Sequence, residues 1–295
     1  MYYFAQKWLL FILILGLGSP GIRAELALAS VSAVAVDVET GQMLVSEHAD
    51  LVLPIASLTK VMTAVVVLDS GADLSEWLTI EDWASANDKN AYSRIRVTSK
   101  ARRGDLLRIA LMSSENRAAY NLALHHPGGY ERFVRDMNEK AQALGMMHSS
   151  FDDPTGLSTN NQASAADLAK LLVAADGYQA IREYSTTRQF TVNFRKPRYR
   201  LGYGNTNPLT GSQRWDVGLT KTGYLTEAGR CLVMVAQMAE KRVGVVLLNS
   251  LGTRSPLGDA GRIRRWLADG TKSTVAPAAL KHRREVLALM GIVGD

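Results

Sequence analysis

The sequence predicts an α+β fold: an antiparallel sheet drawn from the N- and C-terminal parts, flanked by helices, with an all-α insertion at about residues 70–180. Three observations predict it. Apolar residues alternate near the start and again after residue 187, the middle third repeats them at helical spacing, and no internal repeat is present. A chain of 295 residues that is 47% hydrophobic can bury one large core, which excludes a disordered or collagen-like protein. One cysteine excludes a disulfide scaffold, and a single long apolar run excludes a polytopic membrane protein.

That run comes first. Met1 to Ala29 reads as a secretory signal, with Lys7 as the positive start, Trp8 to Leu17 as the apolar core, and a break at Ser19-Pro20-Gly21. Small residues offer cleavage at Ala24 or at Ala29. A spanning helix needs roughly 20 apolar residues and this run is about half that, so a removed signal over 1–24 is expected rather than an anchor. Its loss takes Lys7 and Arg23 and no acid, leaving a net charge of about +4 on an exported chain. Residues 25–270 then form one domain and 271–295 a tail.

Within the domain, Val31 to Val38 alternates, Glu39-Thr40-Gly41 turns and Gln42 to Ser46 returns, which predicts a hairpin. After Pro54, Ser57 to Leu68 is too apolar for a surface and predicts a core helix starting at Ser57. Helical spacing follows over Asp105 to Met112, Glu115 to His125, Gly129 to Leu144 and Ala165 to Ala175, separated by Gly145, Pro154-Thr155-Gly156 and a polar segment at 158–162. Strands are predicted over Gln189 to Phe194, Val217 to Tyr224, Cys231 to Met238 and Val243 to Asn249, and an amphipathic helix over Leu257 to Leu267. Cys231 opens a buried strand and reads as a small core residue, not a nucleophile. Five histidines without a ligand pattern give no reason to expect a metal, and nothing calls for a cofactor.

Two segments stay open. Between residues 182 and 200, Arg182, Arg188, Arg195, Lys196, Arg198 and Arg200 face Glu183 alone, as a solvated loop or as a contact for an acidic ligand. Export and the lack of a recognition motif argue against nucleic acid. After Gly270 the tail is basic at Lys281, Arg283 and Arg284 and apolar at Leu280, Leu287 and Met290, so it either lies peripherally on an anionic membrane surface or frays.

Three short motifs carry the chemistry. In Ser57-Leu58-Thr59-Lys60, helical spacing brings the Lys60 amine to the Ser57 hydroxyl. A desolvated lysine can take the proton that a serine must lose to become a nucleophile. Alone the pattern is weak, since roughly one such match is expected by chance in a chain of this size; an unpaired lysine in so apolar a run, however, would be costly. Ser114-Glu115-Asn116 sets a hydroxyl and a carboxamide at a junction between two helices. Ser85-Ala86-Asn87 has the same spacing but lacks rigid flanks, so Ser114 is preferred. Lys221-Thr222-Gly223 lies in a strand suited to a sheet edge that pairs with an extended peptide, or to an ordinary edge carrying a protective lysine.

In this order the set resembles the SxxK serine peptidases, the penicillin-binding proteins and serine β-lactamases, with their S-x-x-K, S-x-N and K-T-G signature. Phe151 to Ser158 looks like the loop after the helical region of the low-molecular-mass D-alanyl-D-alanine peptidases, and Ser113 to Ala119 and Gly223-Tyr224 look closest to low-molecular-mass penicillin-binding proteins of the penicillin-binding protein 7 type, which are murein DD-endopeptidases. The resemblance implies a penicillin-binding-protein/β-lactamase-like transpeptidase fold and a DD-peptidase catalytic domain over 25–270. It implies Ser57 as nucleophile, Lys60 as base and Ser114 as proton relay. Asn116 and Thr222 would hold the substrate, Lys221 would tune the relay, Gly223 would leave room, and the Tyr224 backbone N–H would complete an oxyanion hole. It further implies peptidoglycan stem peptides as substrate, β-lactams as acylating inhibitors and a periplasmic setting. A carboxypeptidase of this type often carries a further β-domain and a membrane helix, for which the 25 residues after Gly270 leave no space. No E-x-x-L-N follows the helical region to hydrolyse a penicilloyl ester quickly, which argues against a class A β-lactamase. A non-catalytic wall-binding or β-lactam-sensing module on the same fold is the reading from another class.

Overall fold

The computed structural model describes residues 26–82 and 92–292; the segment 1–24, expected to be a signal, and Ser85-Ala86-Asn87 lie outside the described residues. The first elements are β1 (Ser32–Asp37), β2 (Met43–Glu47), β3 (Leu53–Pro54), a 3-10 turn at Ala56–Leu58 and α1 (Thr59–Asp69). The helical middle holds β4 (Trp77–Thr79), β5 (Lys100–Arg102), α2 (Arg103–Met112), α3 (Asn116–Leu124), α4 (Gly129–Ala143), β6 (Ser149–Ser150), β7 (Gln162–Ala163), α5 (Ala165–Asp176) and α6 (Gln179–Thr186). Then come β8 (Gln189–Phe194), β9 (Tyr199–Gly204), β10 (Val217–Leu225), β11 (Gly229–Met238), β12 (Lys241–Ser250), α7 (Ser255–Asp269) and α8 (Pro277–Leu289).

A five-stranded antiparallel sheet in the order β10-β11-β12-β1-β2 forms the centre. Both of its faces are covered, which is why its strands read as near-continuous apolar runs. Val34, Val36, Val233, Val235, Val246 and Leu248 face a core shared with α1, α2 and α5. Ala33, Ala35, Leu232, Met234, Val245 and Leu247 face Leu28 and Ala260 and Ile263 of α7. Helix α1 is buried on every side from Thr59 to Val67, so its one lysine is carried into the core with it.

The structure departs from the sequence reading in four places. The insertion expected to be all-α also holds the short paired strands β4 to β7, too brief to show an alternation. The core helix does not start at Ser57: Ser57 lies in the 3-10 turn, and the α-helix begins at Thr59. The basic stretch 182–200 is not one solvated loop: around the expected strand β8 it holds the end of α6, a turn and the start of β9. Helix α6 is polar with Ile181 and Ser185 as its buried residues, too few to show a period. The tail is neither frayed nor free to lie on a surface over Pro277–Leu289. Helix α8 is docked there, with Arg283 on Glu47 at 2.7 Å and on the Leu28 carbonyl at 3.2 Å, and with Ala279 and Leu287 buried. No helix among the described residues is long and apolar enough to cross a membrane.

The start of the domain is pinned as firmly. Leu28, Ala29 and Ser30 are buried, and the Asp259 carboxylate on α7 accepts from the Ala29 and Ser30 backbone N–H groups and from the Ser30 hydroxyl, at 2.7 to 3.0 Å.

Candidate active site

Ser57 is presented by a strained turn. Ala56 holds φ +48, a left-handed conformation that costs a non-glycine residue on the order of 1 kcal/mol or more. The cost is met by what packs against the turn. Thr59 Oγ1 donates to the Ala56 carbonyl at 2.8 Å, and Asn161 Nδ2 donates to Thr59 Oγ1 at 3.0 Å. The loop at 153–158 closes over it. Asp153 accepts from the Gly156 N–H at 2.8 Å and the Ser158 N–H at 2.7 Å, and Thr63 Oγ1 donates to the Pro154 carbonyl at 2.6 Å. Gly156 sits at φ +80 where any Cβ would overlap the Ala56 carbonyl oxygen, so this position requires glycine twice over.

Two lysines lie buried beneath the site, each about 1% exposed. Lys60 Nζ donates to Ser57 Oγ at 2.9 Å, Asn116 Oδ1 at 2.7 Å and the Thr155 carbonyl at 2.6 Å. Burial lowers its pKa to about 7, against the opposing pull of the Asp153 and Glu115 carboxylates. An amine titrating there is partly neutral at physiological pH, with a lone pair next to a serine hydroxyl. Lys221 Nζ donates to Ser114 Oγ at 2.9 Å and to the Thr222 carbonyl at 2.7 Å; burial, and then the charge of Lys60, hold its pKa well below the usual lysine value. Two nearby ammonium groups oppose each other, so the pair favours shedding a proton.

Ser114 stands between α2 and α3 at φ +61, a second left-handed non-glycine residue at the site. Glu115 caps α3 by accepting from the Arg117 N–H at 3.1 Å, which places Asn116 as the first residue of the helix. The third wall is β10, an edge strand of the sheet. Ser57, Ser114, Thr222, Gly223 and Tyr224 line one cavity of about 680 Å³, with Lys60 and Lys221 bonded to its two serines from behind.

The structure therefore brings together all three motifs, with two changes of detail. Asn116, expected at the substrate, also gives its carboxamide oxygen to Lys60 and so positions the amine. Gly223 leaves room for backbone as well as for ligand: a Cβ there would sit 3.0 Å from the Ile55 carbonyl oxygen, so glycine lets β10 close on the Ser57 turn. Sequence reasoning missed Thr206, whose Oγ1 accepts from Thr222 Oγ1 at 2.7 Å, and the Thr155 carbonyl on Lys60. It also missed Arg230 and Arg254, two cations on the cavity wall, the first stacked 3.7 Å over the Tyr224 ring. The Pro154-Thr155-Gly156 turn was the available signal for Thr155; nothing local marks the others. Cys231 is buried in the same wall with its thiol pushed up to about 12, so it is no nucleophile.

The chain is similar to known proteins. A family profile described as D-alanyl-D-alanine carboxypeptidase, peptidase S11, matches residues 21–252. A D-alanyl-D-alanine endopeptidase of Pseudomonas aeruginosa is 47% identical over 264 residues, 90% of this chain and 85% of that protein. One of Escherichia coli is 44% identical over 91% of this chain and 86% of that protein. Among solved structures, the Streptomyces K15 DD-transpeptidase superposes with a TM-score of 0.77 at 28% identity, covering 83% of this chain and 98% of that one.

Proposed function

Since the chain belongs to the D-alanyl-D-alanine carboxypeptidase family of serine-type DD-peptidases, we propose that it hydrolyses D-Ala to diaminopimelate cross-links in peptidoglycan through an acyl-enzyme on Ser57. The observation that carries the reading is Lys60 Nζ at 2.9 Å from Ser57 Oγ with a pKa of about 7. The neutral amine accepts the Ser57 proton as Oγ attacks the D-Ala carbonyl carbon. The oxyanion that forms is held by the backbone N–H groups of Ser57 and Tyr224, donors typically worth a few kcal/mol each to a transition state. Collapse breaks the C–N bond, the proton passes through Ser114 to the leaving amine, and water then hydrolyses the ester. Lys221 keeps the relay from holding a second proton, and Thr222, with Thr206 behind it, receives the substrate carboxylate. No step needs a metal or cofactor.

β-lactams would acylate the same serine and leave slowly, since the 151–158 loop spends Asp153 on its own backbone. Export to the periplasm, with the signal removed after Ala24, is part of the proposal. Processing after Ala29 would discard Leu28 and Ala29, both buried and bonded in the fold. The family profile's own description favours a second reading, a carboxypeptidase that trims terminal D-Ala.

The test is to incubate the mature protein and Ser57→Ala with cross-linked muropeptide dimers and resolve products by mass. Monomers from the wild type alone support the endopeptidase. Dimers that lose one D-Ala move the assignment to carboxypeptidase. No turnover while labelled penicillin still attaches to Ser57 makes the protein a binder.

A further inference from the structure

A second and larger cavity, about 930 Å³, lies away from Ser57, between the β4–β5 and β8–β9 hairpins. The two hairpins are tied by reciprocal backbone bonds between Lys100 and Arg195 at 2.7 and 2.9 Å, so the groove has fixed walls. Those walls carry Arg102, Arg195, Arg198 and Arg200, with Asp105 as the one lining carboxyl. Burial raises the pKa of Asp105, which weakens its hold as a counter-charge. Among the described residues none of these four arginines forms an ion pair, whereas Arg103, Arg108, Arg242 and Arg283 elsewhere all do.

Two of these arginines are nevertheless held in place. Arg195 stacks 3.9 Å over the Trp77 ring and Arg102 lies 5.4 Å from it. Stacking fixes the plane of a guanidinium and leaves its in-plane N–H fork for a carboxylate. Like charges gathered on concave walls focus a positive potential that an anion relieves. The groove also has a direction. Two residues beyond the end of β9 stands Thr206, in the wall of the Ser57 cavity, while the arginines cluster at the other end of the hairpin. Six residues of strand separate them by about 20 Å.

We infer that this groove is a second binding site, taking carboxylates of a peptidoglycan strand outside the bond being cut. The inference rests on the DD-peptidase reading, because the polymer is the one whose peptide occupies Ser57. A flat phospholipid surface offers anions too, but it does not fill a walled groove.

Binding to purified sacculi at low salt is measured in the Ser57→Ala protein, so the result does not depend on turnover. Reversing Arg195, Arg198 and Arg200 to Glu is expected to weaken it by at least about tenfold. In the Ser57 protein the same reversal is expected to leave kcat/KM on soluble muropeptide dimers within about twofold while slowing release from intact sacculi. The charge-removing pair Arg198→Gln with Arg200→Gln supplies the test should the triple variant melt early. Unchanged sacculus binding overturns the inference, as does an equal loss on soluble dimers. So does a loss seen with vesicles of phosphatidylethanolamine and phosphatidylglycerol but not with sacculi. Failure of the wild type on soluble dimers would instead count against the DD-peptidase reading.

Discussion

A lysine in the middle of an apolar helix is legible as an anomaly, and Lys60 was: position, spacing to Ser57 and burial cost all follow from the sequence. What the sequence does not carry is the set of partners that makes the anomaly tolerable, because Asn116 and Thr155 lie 56 and 95 residues away. The rate at which labelled penicillin acylates Ser57 is expected to rise about tenfold per pH unit up to about 7 and then level off, and Lys60→Arg should abolish it. The same shift has a sign in stability. The folded state releases the Lys60 proton near 7 and the unfolded chain near 10.5, so this group adds stability as pH rises between them. The unfolding free energy of the wild type relative to Lys60→Met should therefore climb from pH 7 to pH 9 in urea titrations. Gly156→Ala meets both a left-handed backbone and the Ala56 carbonyl; a loss on the order of 3–5 kcal/mol, read as a fall in urea midpoint, is expected.

At the level of elements, strong periodicity decided what could be seen. The central strands and α2 to α5 were legible within a few residues, since each carries an apolar stripe or run. Strand β8 was legible at Gln189–Phe194, but its partner β9 and helix α6 were not, because their residues face an arginine-lined groove and polar neighbours, and charge there masks the periodicity. Helix α8 was misread for the reverse reason: its basic residues look like a surface, yet Arg283 is spent on Glu47 and Leu28. Leu287→Asp should release it, costing about 2–4 kcal/mol and removing hydrogen-exchange protection over 277–289, with penicillin acylation of Ser57 unchanged.

For the whole molecule, the two ends of the domain are one structure. Asp259 and Arg283, late in the chain, hold Leu28, Ala29 and Ser30, and if the proposed signal is removed, the intact mass of the product is expected to correspond to a start at Glu25. Asp259→Ala would leave the buried Ala29 and Ser30 N–H groups unpaired, and a loss of roughly 2–4 kcal/mol in thermal or urea unfolding is expected. The sheet order sharpens the point. Strand β1 pairs on one side with β2 and on the other with β12, Ser32 against Leu248. A ribosome or translocon releasing this chain from its first residue must deliver some two hundred residues before β1 meets its second neighbour. Contacts so distant in sequence make for high contact order and slow closure. Until β12 arrives the early strands keep an open edge, and the Ser57 turn lacks the β10 wall that it packs against. Such a chain cannot close its sheet piecemeal from the first residue, and it acquires its reactive serine only when nearly all of it has been released.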